Sequence, residues 1–218
     1  MALSIFDLFT IGIGPSSSHT VGPMRAANQF TARLQSLDLL EQTSEIKVYL
    51  HGSLALTGIG HGTDKAILLG LEGGKPDTVD IDAIDATLAR IKAQQQLRLG
   101  GTKLIPFTKD HLNFDHKELP HHPNGMRFTA LDSSGETLET TVYYSVGGGF
   151  IAGEATIARN APPLSDIDLP YDFHSGDELM KICSDNDMSV SDIVRANERI
   201  FNDDGVIDAK LDAIWDAM

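Results

Sequence analysis

The apolar positions of this chain change period several times along its length. At the start, "SIFDLF" reads as a short helix in which Ser4 and Asp7 stand at capping-box spacing. Across residues 20–37, Val21, Met24, Ala27, Phe30, Leu34 and Leu37 recur every three or four positions, the stripe of an amphipathic helix. Pro23 is tolerated only in a first turn, so this helix begins near the serines that precede it. "EIKVYLHG" switches to a period of two, with Ile46, Val48 and Leu50 on one face of a strand. "GIGHGTDKAILLGLEGG" predicts a loop feeding a helix that stops at Gly73 and Gly74. Residues 82–96 predict another helix and "GTKLIPF" a strand. "GMRFTALDSSGETLETTVYYSV" predicts two strands around a turn at Ser133, Ser134 and Gly135, after which three glycines from Gly147 break the pattern.

A Pro-rich passage, "APPLSDIDLPYDF", then reads as a linker, and beyond it the periodicity is helical only, over roughly residues 176–185, 189–202 and 206–218. The last of these reaches Met218 without a stop signal, so the chain is expected to be a fragment. The pattern predicts an α+β fold, a mixed, mostly antiparallel sheet with helices packed on it, followed by a short all-helical segment. The expected division is a domain at 1–160, a linker at 161–174 and the helical segment at 175–218.

Composition narrows the partners. Of 218 residues, 41% are apolar, enough for a packed core. Lys and Arg total 17 against 31 Asp and Glu, a formal net charge of −14. Such a surface repels phosphate backbones and anionic lipid, so neither nucleic acid nor a membrane is an expected partner. Cys183 is the single cysteine, which excludes an internal disulfide and a self-contained Cys-ligated metal site. "MALSIFDLF" lacks a basic signal-peptide start, and no apolar run approaches the roughly 20 residues of a membrane span, so the cytoplasm is the default location.

Four stretches carry candidate chemistry. In "IGIGPSSSHT", Ser16, Ser17, Ser18 and Thr20 surround His19 just ahead of a helix whose first N–H groups are unpaired, a seat for a small anion such as a carboxylate. One hydroxyl there would be a routine N-cap, but four and an imidazole exceed what a cap needs. The nucleotide-loop and dinucleotide signatures are absent. In "GHGTD", His61 precedes Thr63 and Asp64 at the start of a helix, whose positive end should favour a neutral imidazole available as a base. Taken alone, His61 reads more readily as a loop or capping histidine. "LPHHPNGM" crowds His121, His122 and Asn124. Adjacent histidines rarely reach one ion, and a turn at Asn124 and Gly125 accounts for the asparagine. In "YYSVGGGF", Gly147 and Gly148 read as a bulge or as a place where backbone approaches a ligand. His51, His111, His116 and His174 read as surface or packing residues.

Taken together, "SIFDLFTIGIGPSSSHTVGPMRAA", "GHGTD", "HPNGM" and "YYSVGGGF" resemble the bacterial iron–sulfur L-serine dehydratases (L-serine ammonia-lyases) of single-chain type, in strong blocks to about Phe150 and more loosely beyond. The resemblance implies an N-terminal β domain similar to the substrate-binding regulatory domain of some phosphoglycerate dehydrogenases, followed by the first helices of an α domain. It implies a 4Fe-4S cluster acting as Lewis acid on the substrate hydroxyl, with no ligand in this chain. It further implies L-serine as substrate, the chain's own C-terminal α domain as partner, and a homodimer. The implied roles are His61 as base, and Ser16, Ser17, Ser18 and Thr20 around the substrate carboxylate. His19, His122 and Asn124 would line the site, Thr63 and Asp64 would position His61 or contact substrate, and Gly147 and Gly148 would form the wall. A non-catalytic domain that senses serine or a related anion is the rival expectation.

Overall fold

The computed structural model describes residues 4–158 and 168–218. Part of the expected linker, residues 161–167, lies outside the described residues. The chain forms two compact units, one of Gly12–Ala161 and one of Met1–Ile11 with Pro162–Met218.

The Gly12–Ala161 unit contains seven strands among its described residues: β1 (Glu45–His51), β2 (Gln96–Leu99), β3 (Lys103–Pro106), β4 (Leu112–Asp115), β5 (Gly125–Leu131), β6 (Thr137–Gly147) and β7 (Phe150–Gly153). Five form a sheet in the order β4-β1-β5-β6-β7, and β2 pairs with β3 in a separate ribbon. β4 runs parallel to β1 at the sheet edge, whereas the other neighbours are antiparallel, giving the mixed, mostly antiparallel sheet expected. The expected hairpin is β5–β6, turned at Gly135, whose φ is +87°.

Alternation explains why these strands form a core. Ile46, Val48 and Leu50 of β1 are fully buried and stand opposite Ala130, Phe128 and Met126 of β5. After α1 (Ile5–Leu8), which belongs to the other unit, come α2 (Gly22–Ser36), α3 (Ser53–Thr57), α4 (Thr63–Leu71), α5 (Ile84–Gln94) and α6 (Glu154–Ala158). The α2 stripe delivers Ala26, Ala27, Phe30 and Leu34 to the same core, with the Phe30 ring stacked 5.3 Å from Phe128. Ile67 and Leu71 of α4 join it. Each large side chain so buried contributes about 1.5–3 kcal/mol. Pro23 lies in the first turn of α2, as its missing N–H requires.

The second unit is helical. α1 carries the expected capping box between Ser4 and Asp7. α7 (Gly176–Asn186), α8 (Val190–Glu198) and α9 (Asp204–Ala217) follow, with Ile193 and Ile207 fully buried. Glu198, itself buried, accepts hydrogen bonds from the Ser4 hydroxyl at 2.8 Å, the Ile5 N–H at 2.9 Å and the Asn202 amide at 2.7 Å. The chain's first helix therefore groups with its last three, a division that a reading in chain order does not reveal.

Candidate active site

The site lies within the Gly12–Ala161 unit, where the loops singled out from sequence meet. Residues Ser17–Val21 wind into a π-helical turn that runs directly into α2. Ser16 caps it, its hydroxyl oxygen accepting the His19 N–H at 3.2 Å, and lies 3.4 Å from the Ser18 hydroxyl. The leading N–H groups of this turn precede any residue able to accept them within it. Ser16 and Ser18 are half-buried and Ser17 is exposed.

His19 is held from both sides: Nδ1 lies 2.9 Å from the Ser18 hydroxyl and Nε2 lies 3.1 Å from that of Ser53. Its ring is 5.0 Å from the ring of His61, tilted by 43°. Burial lowers the pKa of His19, the nearby His61 lowers it further, and a hydrogen bond with the Ser53 backbone pulls the other way. The neutral imidazole is thereby favoured at this position.

His61 ends a short 3₁₀ turn, Ile59–His61, and Gly62 follows in the left-handed conformation before α4 begins. Its Nδ1 lies 2.9 Å from the carbonyl oxygen of Thr57. A carbonyl only accepts, so Nδ1 carries the proton and, in the neutral ring, Nε2 keeps its lone pair. The two histidine loops are tied to each other. The Thr20 hydroxyl donates to the His61 carbonyl at 2.8 Å, and the Thr63 hydroxyl donates to the His19 carbonyl. Both threonines are buried, so their hydroxyl protons brace the loops. Asp64 opens α4, and its Oδ1 is buried without a hydrogen-bond partner among the described residues.

The 122–124 turn joins the same cluster. The Asn124 N–H donates to His122 Nδ1 at 3.1 Å, and the Asn124 side-chain amide donates to the Ser145 carbonyl at 3.2 Å. The Ser145 N–H returns a bond to the Asn124 carbonyl at 3.0 Å. The adjacent His121 turns instead to Tyr144, edge-on at 5.9 Å, so the two neighbouring rings serve different partners. Gly147, Gly148 and Gly149 have φ of +99°, +59° and +77°, a left-handed run that only glycines adopt without strain, and they turn β6 into β7. Arg25 of α2 donates to the Gly149 carbonyl at 2.8 Å.

Ser53 and Thr57, which hold the two imidazoles, escaped the sequence reading because "HGSLALTG" looks like an unremarkable strand exit. A usable signal was Gly52. Its φ is +56°, and a β-carbon there would come within 2.4 Å of the Pro123 carbonyl oxygen, so the chain passes close to the 122–124 turn at this point.

No group of three or more His, Cys, Asp or Glu among the described residues is placed to hold a metal ion. Cys183 is buried on α7 in the other unit. These residues do not furnish the thiolate set of a 4Fe-4S cluster. No helix among the described residues is long and apolar enough to cross a membrane.

Residues 4–156 match the family described as serine dehydratase beta chain. An L-serine dehydratase of Streptomyces coelicolor is 46% identical over 220 residues, covering 100% of this chain and 48% of that protein. L-serine dehydratase TdcG of Escherichia coli is 45% identical over 218 residues, covering 99% of this chain and 47% of that protein. An L-serine dehydratase of Helicobacter pylori is 39% identical, with 100% and 47% covered. The chain thus spans about half the length of these relatives. Since the matched segment covers most of the chain and contains every loop that converges on His19 and His61, this protein belongs to the serine dehydratase beta chain family.

Proposed function

We propose that the Gly12–Ala161 unit is the substrate-binding and proton-transfer half of an L-serine dehydratase, which converts L-serine to pyruvate and ammonia. The observation that carries this reading is the bond from His61 Nδ1–H to the Thr57 carbonyl, which leaves Nε2 as an acceptor without a hydrogen-bond partner among the described residues, on a ring 5.0 Å from that of His19. The relatives named as L-serine dehydratases support the substrate.

The substrate carboxylate sits at the head of the Ser17–Val21 turn, where Ser16, Ser17, Ser18 and the leading backbone N–H groups offer donors. Fixing that end aims the α C–H at His61 Nε2, which takes the proton. The electron pair of the C–H bond forms the Cα–Cβ double bond, and the Cβ–O bond breaks with its pair on oxygen, which leaves as water once protonated. The aminoacrylate product then hydrolyses to pyruvate and ammonia. His19, His122 and Asn124 line the site. Thr20 and Thr63 hold the two histidine loops in register, Asp64 stands beside them, and Gly147 and Gly148 shape the wall.

The proposal also includes a 4Fe-4S cluster whose ligands are not residues of this chain, and no step above is routed through it. It further includes a cytoplasmic, homodimeric protein in which segment 175–218 belongs to the α domain. The test is His61→Ala in an enzyme carrying both halves. We expect kcat to fall by at least about 10²-fold with serine still bound. A near-wild-type kcat refutes the assignment, and serine binding without turnover in the wild-type enzyme favours the sensing role instead.

A further inference from the structure

We propose that Ser53 is a positioning residue that sets His19 against His61 and pins the 122–124 turn to both, a refinement that rests on the reading above only for its kinetic consequence. Three bonds converge on this residue. Its hydroxyl lies 3.1 Å from His19 Nε2, its N–H donates to the Pro123 carbonyl at 3.0 Å, and its carbonyl accepts the Thr57 hydroxyl at 3.0 Å. Thr57 in turn accepts the His61 Nδ1 proton on its own carbonyl. The path His19–Ser53–Thr57–His61 is therefore continuous, and it runs along a single helix, α3.

The length of that helix suits the task. Ser53 is its first residue and Thr57 its last, a rise of about 6 Å over four residues. The two rings that these residues hold are 5.0 Å apart. A five-residue helix thus acts as the ruler between the imidazoles, with a side-chain hydroxyl at one end and a main-chain carbonyl at the other. The carbonyl cannot be removed by substitution, so the hydroxyl is the adjustable end. Glycine at 52 is required for this approach, because any β-carbon there would strike the Pro123 carbonyl. The hydroxyl of Ser53 rotates and either donates or accepts, so it holds His19 in either neutral tautomer. Losing it leaves that side of the His19 ring with the Ser53 backbone alone.

The experiment compares wild type with Ser53→Ala and Ser53→Thr. In the 218-residue chain, the ring nitrogens of His19 are followed by NMR, a readout that requires no turnover. We expect Ser53→Ala to shift the His19 Nε2 resonance and Ser53→Thr to restore the wild-type pattern. In the enzyme with both halves, we expect Ser53→Ala to lower kcat about 10-fold while KM changes less, with recovery in Ser53→Thr. Unchanged His19 nitrogen shifts in a folded Ser53→Ala protein overturn the proposal. Should threonine disturb the α3 start, Ser53→Cys, close to serine in size but a weak hydrogen-bonder, must give an intermediate His19 pattern, and a pattern equal to wild type also overturns it. An enzyme that never turns over serine would instead sink the dehydratase reading and leave the NMR result standing.

Discussion

A β-carbon added to Gly22 would lie 2.1 Å from the Ser145 hydroxyl oxygen. The first residue of α2 thus rests directly on the end of β6, and the buried Ser145 hydroxyl has no hydrogen-bond partner among the described residues. Gly22→Ala forces these elements apart, and we expect it to cost about 1–3 kcal/mol, the usual penalty for overpacking. Ser145→Gly removes both atoms that the new β-carbon would meet most closely. The double variant should therefore regain part of the lost thermal stability, and strictly additive losses would contradict this contact.

The serine turn should govern substrate affinity. Ser16→Ala and Ser18→Ala are expected chiefly to raise KM for serine, by about tenfold or more where a hydrogen bond to a charged carboxylate is lost. Steady-state kinetics on the two-half enzyme separates the cases. If both variants keep the wild-type KM and lose only kcat, the carboxylate lies elsewhere.

Acid should weaken the folded chain well before its carboxylates titrate. Burial lowers the pKa of His19, with His61 adding to the effect, and burial is also the main cause of the lowered pKa of His51. Both groups bind a proton more readily in the unfolded chain, where the reference value is about 6.5. Above that pH neither contributes a pH dependence. As the pH falls from about 6.5 toward the lowered folded values, the unfolded chain takes up protons first and stability declines. The melting temperature at pH 5.5 should lie below that at pH 7.5, and the gap should narrow in His19→Gln/His51→Gln. Asp132, Asp192 and Asp204 have lowered values instead, so their contributions are lost only below about pH 4 and do not enter this window.

In the helical unit, Glu198 is the anchor of the chain's first helix. Glu198→Ala leaves the Ser4 hydroxyl, the Ile5 N–H and the Asn202 amide without their acceptor, a loss of about 1–3 kcal/mol. We expect faster proteolysis at the N-terminus and faster amide exchange at Ile5. Glu198→Gln keeps one acceptor oxygen and should fall between the two. Unchanged exchange at Ile5 in Glu198→Ala would show that this helix is held by other contacts.

Periodicity made the scaffold legible where burial is one-sided. The stripe from Val21 to Leu34 and the alternation from Ile46 to Leu50 identify their elements because each has one face in the core. β4 carries no such signal, for it is a four-residue edge strand whose parallel partner lies some sixty residues earlier, and all its positions are at least partly exposed. The grouping of Ser4 with Glu198 joins residues 194 apart, which no local pattern encodes. The glycine- and hydroxyl-rich loops stood out because their composition exceeds what turns and caps require. Ser53 and Thr57 did not, because their work depends on where the backbone of α3 places them, and serine and threonine are ordinary residues in a short helix.

The crossed bonds of Thr20 and Thr63 bear on how any small molecule is received. Each strip of chain gives one hydroxyl to the other and accepts one on a carbonyl, so neither can swing away without breaking both bonds. Such a clasp is closed during folding, when its loss of freedom is absorbed by the surrounding core. An arriving molecule then meets imidazoles whose spacing the fold has already set.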